Sequence, residues 1–180
     1  MVLNVPNALT LSRMFLVPVL TITVIYGEFE LALGVFLLAA ITDLLDGLFA
    51  RLLNQCTLLG LYLDPAADKV LTLTCYLTLA VTGLLPAWLA VVVIFKDFFM
   101  VLGAAIIFFC GWELKVEPSR WGKQTTFLQL FTVAAVLLQT VTGWLASWLP
   151  VLFCLTCLLT VFSGGHYIFK RLKSLPAIPL

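Results

Sequence analysis

Charged residues are scarce in this sequence, and the stretches between them are long and apolar. Asp, Glu, Lys and Arg make up 11% of the 180 residues, whereas 63% are hydrophobic and the mean hydropathy is +1.15. A soluble domain of this size does not have such a composition. The shortage of charge therefore excludes a soluble enzyme and predicts an integral membrane protein.

Cysteine and histidine are too few and too scattered to build a scaffold. The five cysteines are an odd number in apolar stretches, which argues against a disulfide framework and predicts free thiols facing a reducing compartment. Cys154 and Cys157 have the spacing of metal ligands but no partner pair, so we expect both to pack inside a helix. The single histidine, His166, lies near the end of an apolar run, where we expect an interfacial hydrogen-bonding group rather than a catalyst.

Long apolar runs dominate instead, and about 20 such residues suffice to cross a bilayer core of about 30 Å. The sequence contains six of them, and no small-residue cleavage site follows the first, which predicts a membrane span and not a signal peptide. Neither a linker nor an internal repeat divides them, so we predict one all-α, polytopic membrane domain over residues 1–180. The predicted transmembrane helices are Leu9 to Tyr26, Leu31 to Leu53, Thr57 to Thr82, Pro86 to Cys110, Trp121 to Val141 and Leu149 to Phe169.

The basic residues predict the orientation of these helices. They cluster near both termini and in the loops that follow spans two and four, whereas the opposite loops hold Glu28 and Glu30 and neither Lys nor Arg. By the positive-inside rule, both termini are cytoplasmic. The residues that set this bias are Arg13, Arg51, Lys115, Arg120, Lys123, Lys170, Arg171 and Lys173.

Four aspartates interrupt the apolar runs of spans two and three. The chain reads D-L-L-D-G-L-F-A-R from Asp43 and G-L-Y-L-D-P-A-A-D from Gly60. Because charged side chains inside a membrane segment are unfavourable, they normally face a bundle interior and serve a function there. The acids are Asp43, Asp46, Asp64 and Asp68.

Helical spacing gathers these acids into one place. Residues three and four apart share a helix face, so each helix carries one acidic stripe, and a short connection makes the two helices antiparallel neighbours. Facing stripes form an oxygen-rich pocket that suits hard divalent cations such as Mg²⁺, and a pair of ions would relieve the repulsion among the carboxylates. Small residues on the same faces leave room for a ligand or for close helix packing: Gly47, Ala50 and Gly60.

The full pattern, D-x2-D-G-x2-A-R-x8-G-x3-D-x3-D, resembles the signature of the CDP-alcohol phosphotransferases without departure. The opening N-V-P-N-A-L-T-L-S-R and the run L-D-P-A-A-D-K resemble the phosphatidylglycerophosphate synthases and the CMP-forming cardiolipin synthases. The resemblance covers most of the chain and is weaker after Lys123. It implies an enzyme of phospholipid synthesis, in which an acceptor hydroxyl attacks the phosphatidyl phosphorus of CDP-diacylglycerol and CMP leaves.

The resemblance also implies roles for the motif residues. The four aspartates hold two Mg²⁺ or Mn²⁺ ions, and Asp68 is in addition the general base. Gly47, Ala50, Arg51 and Gly60 bind the donor nucleotide, with Arg51 placed to meet its phosphate. The alternative for the aspartates is a structural ion-pair network, which the shortage of bases on these stripes argues against.

Two compounds are candidates for the acceptor alcohol. Glycerol 3-phosphate leads; its phosphate needs cations, for which Arg120, Lys123 and Lys69 are candidates, although contact with anionic lipid or snorkelling would explain them equally well. Phosphatidylglycerol is the alternative, because A-L-G-V-F-x-x-A-x-x-T-D-L-L-D-G is similar to cardiolipin synthases. Lys96 and Asp97 stand where phosphatidylglycerophosphate synthases often carry Arg-Glu and a further Arg, which is missing here. For this pair a salt bridge between helices is the better interpretation.

An ion or proton transporter is a distant alternative, since intramembrane carboxylates also mark ion paths. A transporter needs acids distributed across the depth of the membrane, whereas these cluster on one side. The resemblance further suggests a homodimer, which the sequence itself does not show. We expect a multi-pass protein of a bacterial inner membrane that contacts lipid and does not bind nucleic acid.

Overall fold

The computed structural model describes residues 5–52, 58–109 and 120–173, with side chains described over residues 11–43, 67–103 and 121–167 and at Phe169. These ranges contain six α-helices, joined by turns where the connection is described, and no strand. Each helix matches one predicted span to within a few residues, so the prediction of an all-α chain with six helices is confirmed there. The helices are α1 (Val5–Ile25), α2 (Phe29–Leu52), α3 (Leu58–Val81), α4 (Ala87–Phe109), α5 (Arg120–Thr142) and α6 (Leu149–Lys173).

Glycines end the three helices that run away from the acidic motif. Gly27, Gly83 and Gly143 follow α1, α3 and α5 with φ values of 77°, 76° and 74°, which glycine adopts without steric penalty. At Gly83 the amide donates to Ala80 O at 3.2 Å and the next amide donates to Leu79 O at 2.9 Å. This arrangement satisfies the last carbonyls of the helix and turns the chain sharply back toward α4.

Helix α1 lies at the centre of the motif-bearing half, where it packs against both α2 and α3. Helix α5 packs against α2 and α6, and α4 connects α3 with α6. One continuous apolar core runs between all six helices. Its members include Val17, Leu20, Val24, Phe36, Leu71, Tyr76, Leu79, Leu89, Val93, Val133, Leu137 and Phe153.

The contact between α5 and α6 contains buried polar pairs in addition to apolar side chains. Thr132 Oγ1 and Thr156 Oγ1 are 2.7 Å apart, and Gln129 Nε2 donates to Thr160 Oγ1 at 3.1 Å. All four side chains are buried. Hydrogen bonds between small hydroxyl residues are a common means of holding transmembrane helices together, because lipid supplies no competing partner.

The outer surface of the bundle is apolar on every helix. Large hydrophobic side chains are exposed along the lengths of the helices, a pattern that a soluble monomer avoids. Within the described residues, Trp121–Thr142 and Leu149–Tyr167 are long and apolar enough to cross a membrane. Representative exposed residues are Phe15, Leu31, Leu37, Leu73, Phe95, Phe98, Phe127 and Leu158.

The described cysteines carry free thiols, as the sequence predicts. Cys75 is buried in the core, Cys157 is half-buried and Cys154 faces outward from α6. No group of three or more carboxylate, histidine or cysteine side chains within reach of a common metal ion occurs among the described side chains. Cys157 packs against the apolar core as expected, whereas Cys154 is exposed and does not pack inside the bundle.

Candidate active site

Asp43 of α2 and Asp68 of α3 meet at a single arginine nitrogen. Arg13 of α1 places its Nη1 2.6 Å from Asp43 Oδ1 and 2.8 Å from Asp68 Oδ1. The second contact is also a hydrogen bond, which the guanidinium donates to the carboxylate. Three helices therefore join at this point, and the predicted convergence of carboxylates from the two acidic helices is confirmed for this pair. Among the described residues, however, α2 and α3 do not pack directly on each other, because α1 packs against both.

The three side chains differ in their access to solvent. Arg13 is 0% exposed, whereas the side chains of Asp43 and Asp68 are 34% and 37% exposed. The guanidinium thus lies behind the carboxylates, on the side of the helix bundle, and the carboxylates lie in front of it. Two carboxylates and one guanidinium carry a net charge of −1, so this cluster retains an attraction for cations.

The remaining motif residues lie on the same two helices, α2 and α3, but their side chains fall outside the described residues. Asp46, Gly47, Ala50 and Arg51 belong to the last two turns of α2 and Gly60 and Asp64 to the first two of α3. Because both segments are helical, position 46 shares a face with position 43, and positions 60 and 64 share a face with position 68. The predicted roles of these six residues stay predictions.

A second charged cluster joins α3 to α4. Asp97 Oδ1 lies 2.7 Å from Lys69 Nζ and 2.8 Å from Lys96 Nζ, and the Lys69 contact is also a hydrogen bond. Asp97 and Lys96 are buried, whereas 31% of the Lys69 side chain is exposed. The salt bridge between helices that the sequence favours for Asp97 is thus present, and its interhelical partner is Lys69.

The three residues predicted to bind the acceptor are not seen together in the described part of the structure. Lys69 is held by Asp97, and Lys123 is exposed near the start of α5. Arg120 is the first residue of α5, and its side chain lies outside the described part of the chain. The structure therefore leaves their role in acceptor binding as a prediction.

Sequence reasoning missed the function of Arg13 as the partner of two aspartates. It located this arginine only at the cytoplasmic level of the bundle. A signal was nevertheless available, because an isolated arginine inside an apolar span must find an acid or a carbonyl. Which acid it finds depends on how α1 crosses α2 and α3, and the sequence does not give that crossing.

The described carboxylates fit a divalent cation in chemistry but do not complete a site by themselves. Mg²⁺ and Mn²⁺ prefer hard oxygen ligands in groups of several. Asp43 and Asp68 supply carboxylate oxygens from two helices, and both side chains are partly exposed in front of Arg13. A complete ligand set would need further oxygens, for which Asp46 and Asp64 are the predicted sources.

Comparison with known proteins identifies the class to which this fold and site belong. The family model described as CDP-alcohol phosphatidyltransferase matches residues 3–161, which include all eight motif positions. This chain belongs to that family, whose enzymes transfer a substituted phosphate group.

Individual relatives carry two different activity names. A human protein named cardiolipin synthase (CMP-forming) is 34% identical over 192 residues, which cover 97% of this chain and 64% of the human protein. This chain therefore spans less than two thirds of that relative. A Bacillus subtilis protein named CDP-diacylglycerol--glycerol-3-phosphate 3-phosphatidyltransferase is 32% identical, over 96% of this chain and 97% of its own length. An Aquifex aeolicus protein of the same name is 34% identical, over 95% of this chain and 97% of its own length.

Proposed function

We propose that this protein is a membrane phosphatidyltransferase that moves the phosphatidyl group of CDP-diacylglycerol to glycerol 3-phosphate and releases CMP. The observation that carries the proposal is the meeting of Asp43 and Asp68, from two helices of the acidic motif, at one partly exposed place. Membership of the CDP-alcohol phosphatidyltransferase family supports it, as do two relatives named for this reaction.

The proposed chemistry uses the carboxylates of the motif. The acceptor hydroxyl gives its proton to Asp68 while its oxygen forms a bond to the phosphorus that bears diacylglycerol. The bond from that phosphorus to the oxygen of CMP breaks, and CMP takes up the negative charge. Asp43, Asp46, Asp64 and Asp68 would hold two Mg²⁺ or Mn²⁺ ions, which would neutralise the donor diphosphate and stabilise the leaving group. Gly47, Ala50, Arg51 and Gly60 would bind the donor beside them.

The proposed enzyme is a multi-pass membrane protein with six transmembrane helices. The helices contain between 21 and 25 residues, and at about 1.5 Å per residue each is long enough for a bilayer core of about 30 Å. The apolar outer surface supports contact with lipid. Trp144 and Trp148, both highly exposed in the turn before α6, suit a membrane interface. Cytoplasmic termini, a bacterial inner-membrane location and a homodimer complete the proposal.

Phosphatidylglycerol is the second candidate acceptor, and it would make the protein a cardiolipin synthase. The human relative of that name favours it at 34% identity over 97% of this chain. Both acceptors offer a primary or secondary hydroxyl to the same donor phosphorus, so the proposed chemistry is shared. An ion or proton transporter gains no support from the family or from the relatives.

Release of CMP with defined acceptors tests the proposal. Purified protein is incubated in detergent or liposomes with CDP-diacylglycerol and Mg²⁺ or Mn²⁺, and each acceptor is supplied in a separate reaction. We expect CMP and a new phosphatidyl product with glycerol 3-phosphate. A phosphatidyl product that forms with phosphatidylglycerol but not with glycerol 3-phosphate would establish the second candidate. The absence of CMP with both acceptors would contradict the proposed enzyme.

A further inference from the structure

The arginine that joins the two acidic helices comes from a helix that carries no part of the acidic motif. Arg13 lies on α1, and its single Nη1 atom contacts one oxygen of Asp43 and one oxygen of Asp68. Both oxygens lie within 2.8 Å of this nitrogen, so they are close to each other. Two carboxylates this close repel unless a cation lies between them.

We propose that Arg13 is a positioning residue, which holds Asp43 and Asp68 at a fixed separation before any divalent cation binds. The proposal rests on the proposed function, because it concerns the same two carboxylates. A carboxylate held through one oxygen presents its second oxygen in a fixed direction. Arg13 thereby prepares a pair of oxygens from α2 and α3 for the cation and for the acceptor hydroxyl.

The burial of Arg13 argues against a role in direct substrate binding. Arg13 is 0% exposed, whereas about a third of each aspartate side chain is exposed in front of it. A donor phosphate that approaches through the exposed side meets the carboxylates first. Arg13 therefore acts on the reaction through Asp43 and Asp68, in the way that groups behind metal ligands orient those ligands.

The charges also show why Arg13 and a divalent cation act together rather than exclude each other. The two carboxylates and the guanidinium sum to −1, so neutralisation by Arg13 is incomplete. Arg13 and the cation both reduce the repulsion between α2 and α3, which makes them partly redundant for stability. If Arg13 is removed, the cation must supply all of this stabilisation, and its effect on unfolding should increase.

The test compares Arg13→Met and Arg13→Lys with the unsubstituted protein in the same detergent. Thermal unfolding is measured in EDTA and in a saturating concentration of Mn²⁺. We expect Arg13→Met to lower the midpoint strongly in EDTA, and the Mn²⁺-induced rise to become about twice that of the unsubstituted protein. Because both contacts use one nitrogen, the single ammonium of Arg13→Lys should restore part of the midpoint in EDTA.

Lys69→Met is the matched control, since it removes a cation from the other charged cluster. Its midpoint should fall by the same amount in EDTA and in Mn²⁺, because Asp97 is not a proposed ligand. If the unfolding midpoint of Arg13→Met fell by the same amount in EDTA and in Mn²⁺, Arg13 would be only a partner in a structural ion pair. That result would overturn the proposal. If Arg13→Met does not fold, the same comparison is made with Arg13→Lys, whose smaller loss in EDTA should also be reversed by Mn²⁺.

Kinetics supply a second readout that structural damage alone would not give. We expect Arg13→Lys to lower kcat roughly 10- to 100-fold with little change in the KM for CDP-diacylglycerol. A large rise in KM at constant kcat would instead identify Arg13 as a donor-binding residue and overturn the positioning role. Failure of the proposed function is distinguishable, because the unsubstituted protein would then show neither CMP release nor stabilisation by Mn²⁺.

Discussion

Gly164 of α6 lies directly against the side chain of Lys96 of α4. A Cβ atom at position 164 would lie 3.3 Å from Lys96 Cγ, which is closer than most such contacts allow. The absence of a side chain here lets α6 approach the cluster that Lys96 forms with Asp97 and Lys69. Helix α6 therefore packs against the aliphatic part of Lys96, at one side of the charged cluster between α3 and α4.

Gly164→Val should destabilise the protein by about 1 to 3 kcal/mol more than Gly165→Val. Both substitutions introduce the same β-branched residue into the same helix, so the intrinsic helix propensity changes equally. A Cβ atom at Gly165 has no neighbour within 4 Å among the described residues, whereas Gly164 faces Lys96. Thermal unfolding of the two variants in one detergent measures the difference, and equal midpoints would contradict the close packing at Gly164.

Asp97→Asn should be far more damaging than Lys69→Met. In the described part of the chain, the ammonium groups of Lys69 and Lys96 contact the same carboxylate, that of Asp97. Asp97 and Lys96 are both buried. Removal of the carboxylate leaves buried charge uncompensated, which typically destabilises by about 3 to 5 kcal/mol. Lys69→Met keeps the contact between Asp97 and Lys96, so its effect should be smaller. Unfolding midpoints that fall in the reverse order would contradict the shared carboxylate.

Gly83→Ala should destabilise the turn between α3 and α4 by about 1 to 2 kcal/mol. Gly83 has a φ of 76°, a conformation that is unfavourable for residues with a Cβ atom. Gly34→Ala is the control, because Gly34 lies within α2 and a Cβ atom there meets nothing within 4 Å. Alanine at position 34 should stabilise the helix by up to about 1 kcal/mol. The two variants should therefore move the unfolding midpoint in opposite directions.

The hydroxyl pair between α5 and α6 should show energetic coupling. Thr132 and Thr156 are buried with their Oγ1 atoms 2.7 Å apart. Such hydrogen bonds between membrane helices contribute about 0.6 to 1.7 kcal/mol. The double variant Thr132→Val with Thr156→Val should thus lose less than the sum of the single losses. Thr132 paired with Thr142, which is exposed and bonds to the backbone of Leu138 and Trp144, should give additive losses.

The helices and the convergence of Asp43 with Asp68 are predictable from sequence for related reasons. Apolar runs of sufficient length give the helices, and their regular spacing gives the face on which each acid lies. The short connection between α2 and α3 then predicts that the two acidic faces lie near each other, although among the described residues it is Arg13 of α1 that joins Asp43 and Asp68.

Partners across helices that are distant in sequence are less accessible to such reasoning. Arg13 could have paired with any acid at its depth, and only the packing of α1 against both α2 and α3 brings it to two of them. Similarly, the sequence suggests a salt bridge for Asp97 but not that Lys69 and Lys96 share it. These choices depend on distances between helix axes, which local sequence patterns do not specify.

Binding of Mn²⁺ to purified protein, followed by electron paramagnetic resonance alongside CMP release, tests the central claim most directly. We expect the unsubstituted protein to bind Mn²⁺ and to lose CMP release in EDTA, because Asp43 and Asp68 are the proposed ligands of the catalytic cation. Asp43→Asn and Asp68→Asn should each weaken binding and reduce turnover by roughly 100-fold or more. Glu30→Gln, which changes an exposed carboxylate at the start of α2, should retain both properties. Mn²⁺ binding that is unchanged in Asp43→Asn and Asp68→Asn, or CMP release that persists in EDTA, would contradict the account.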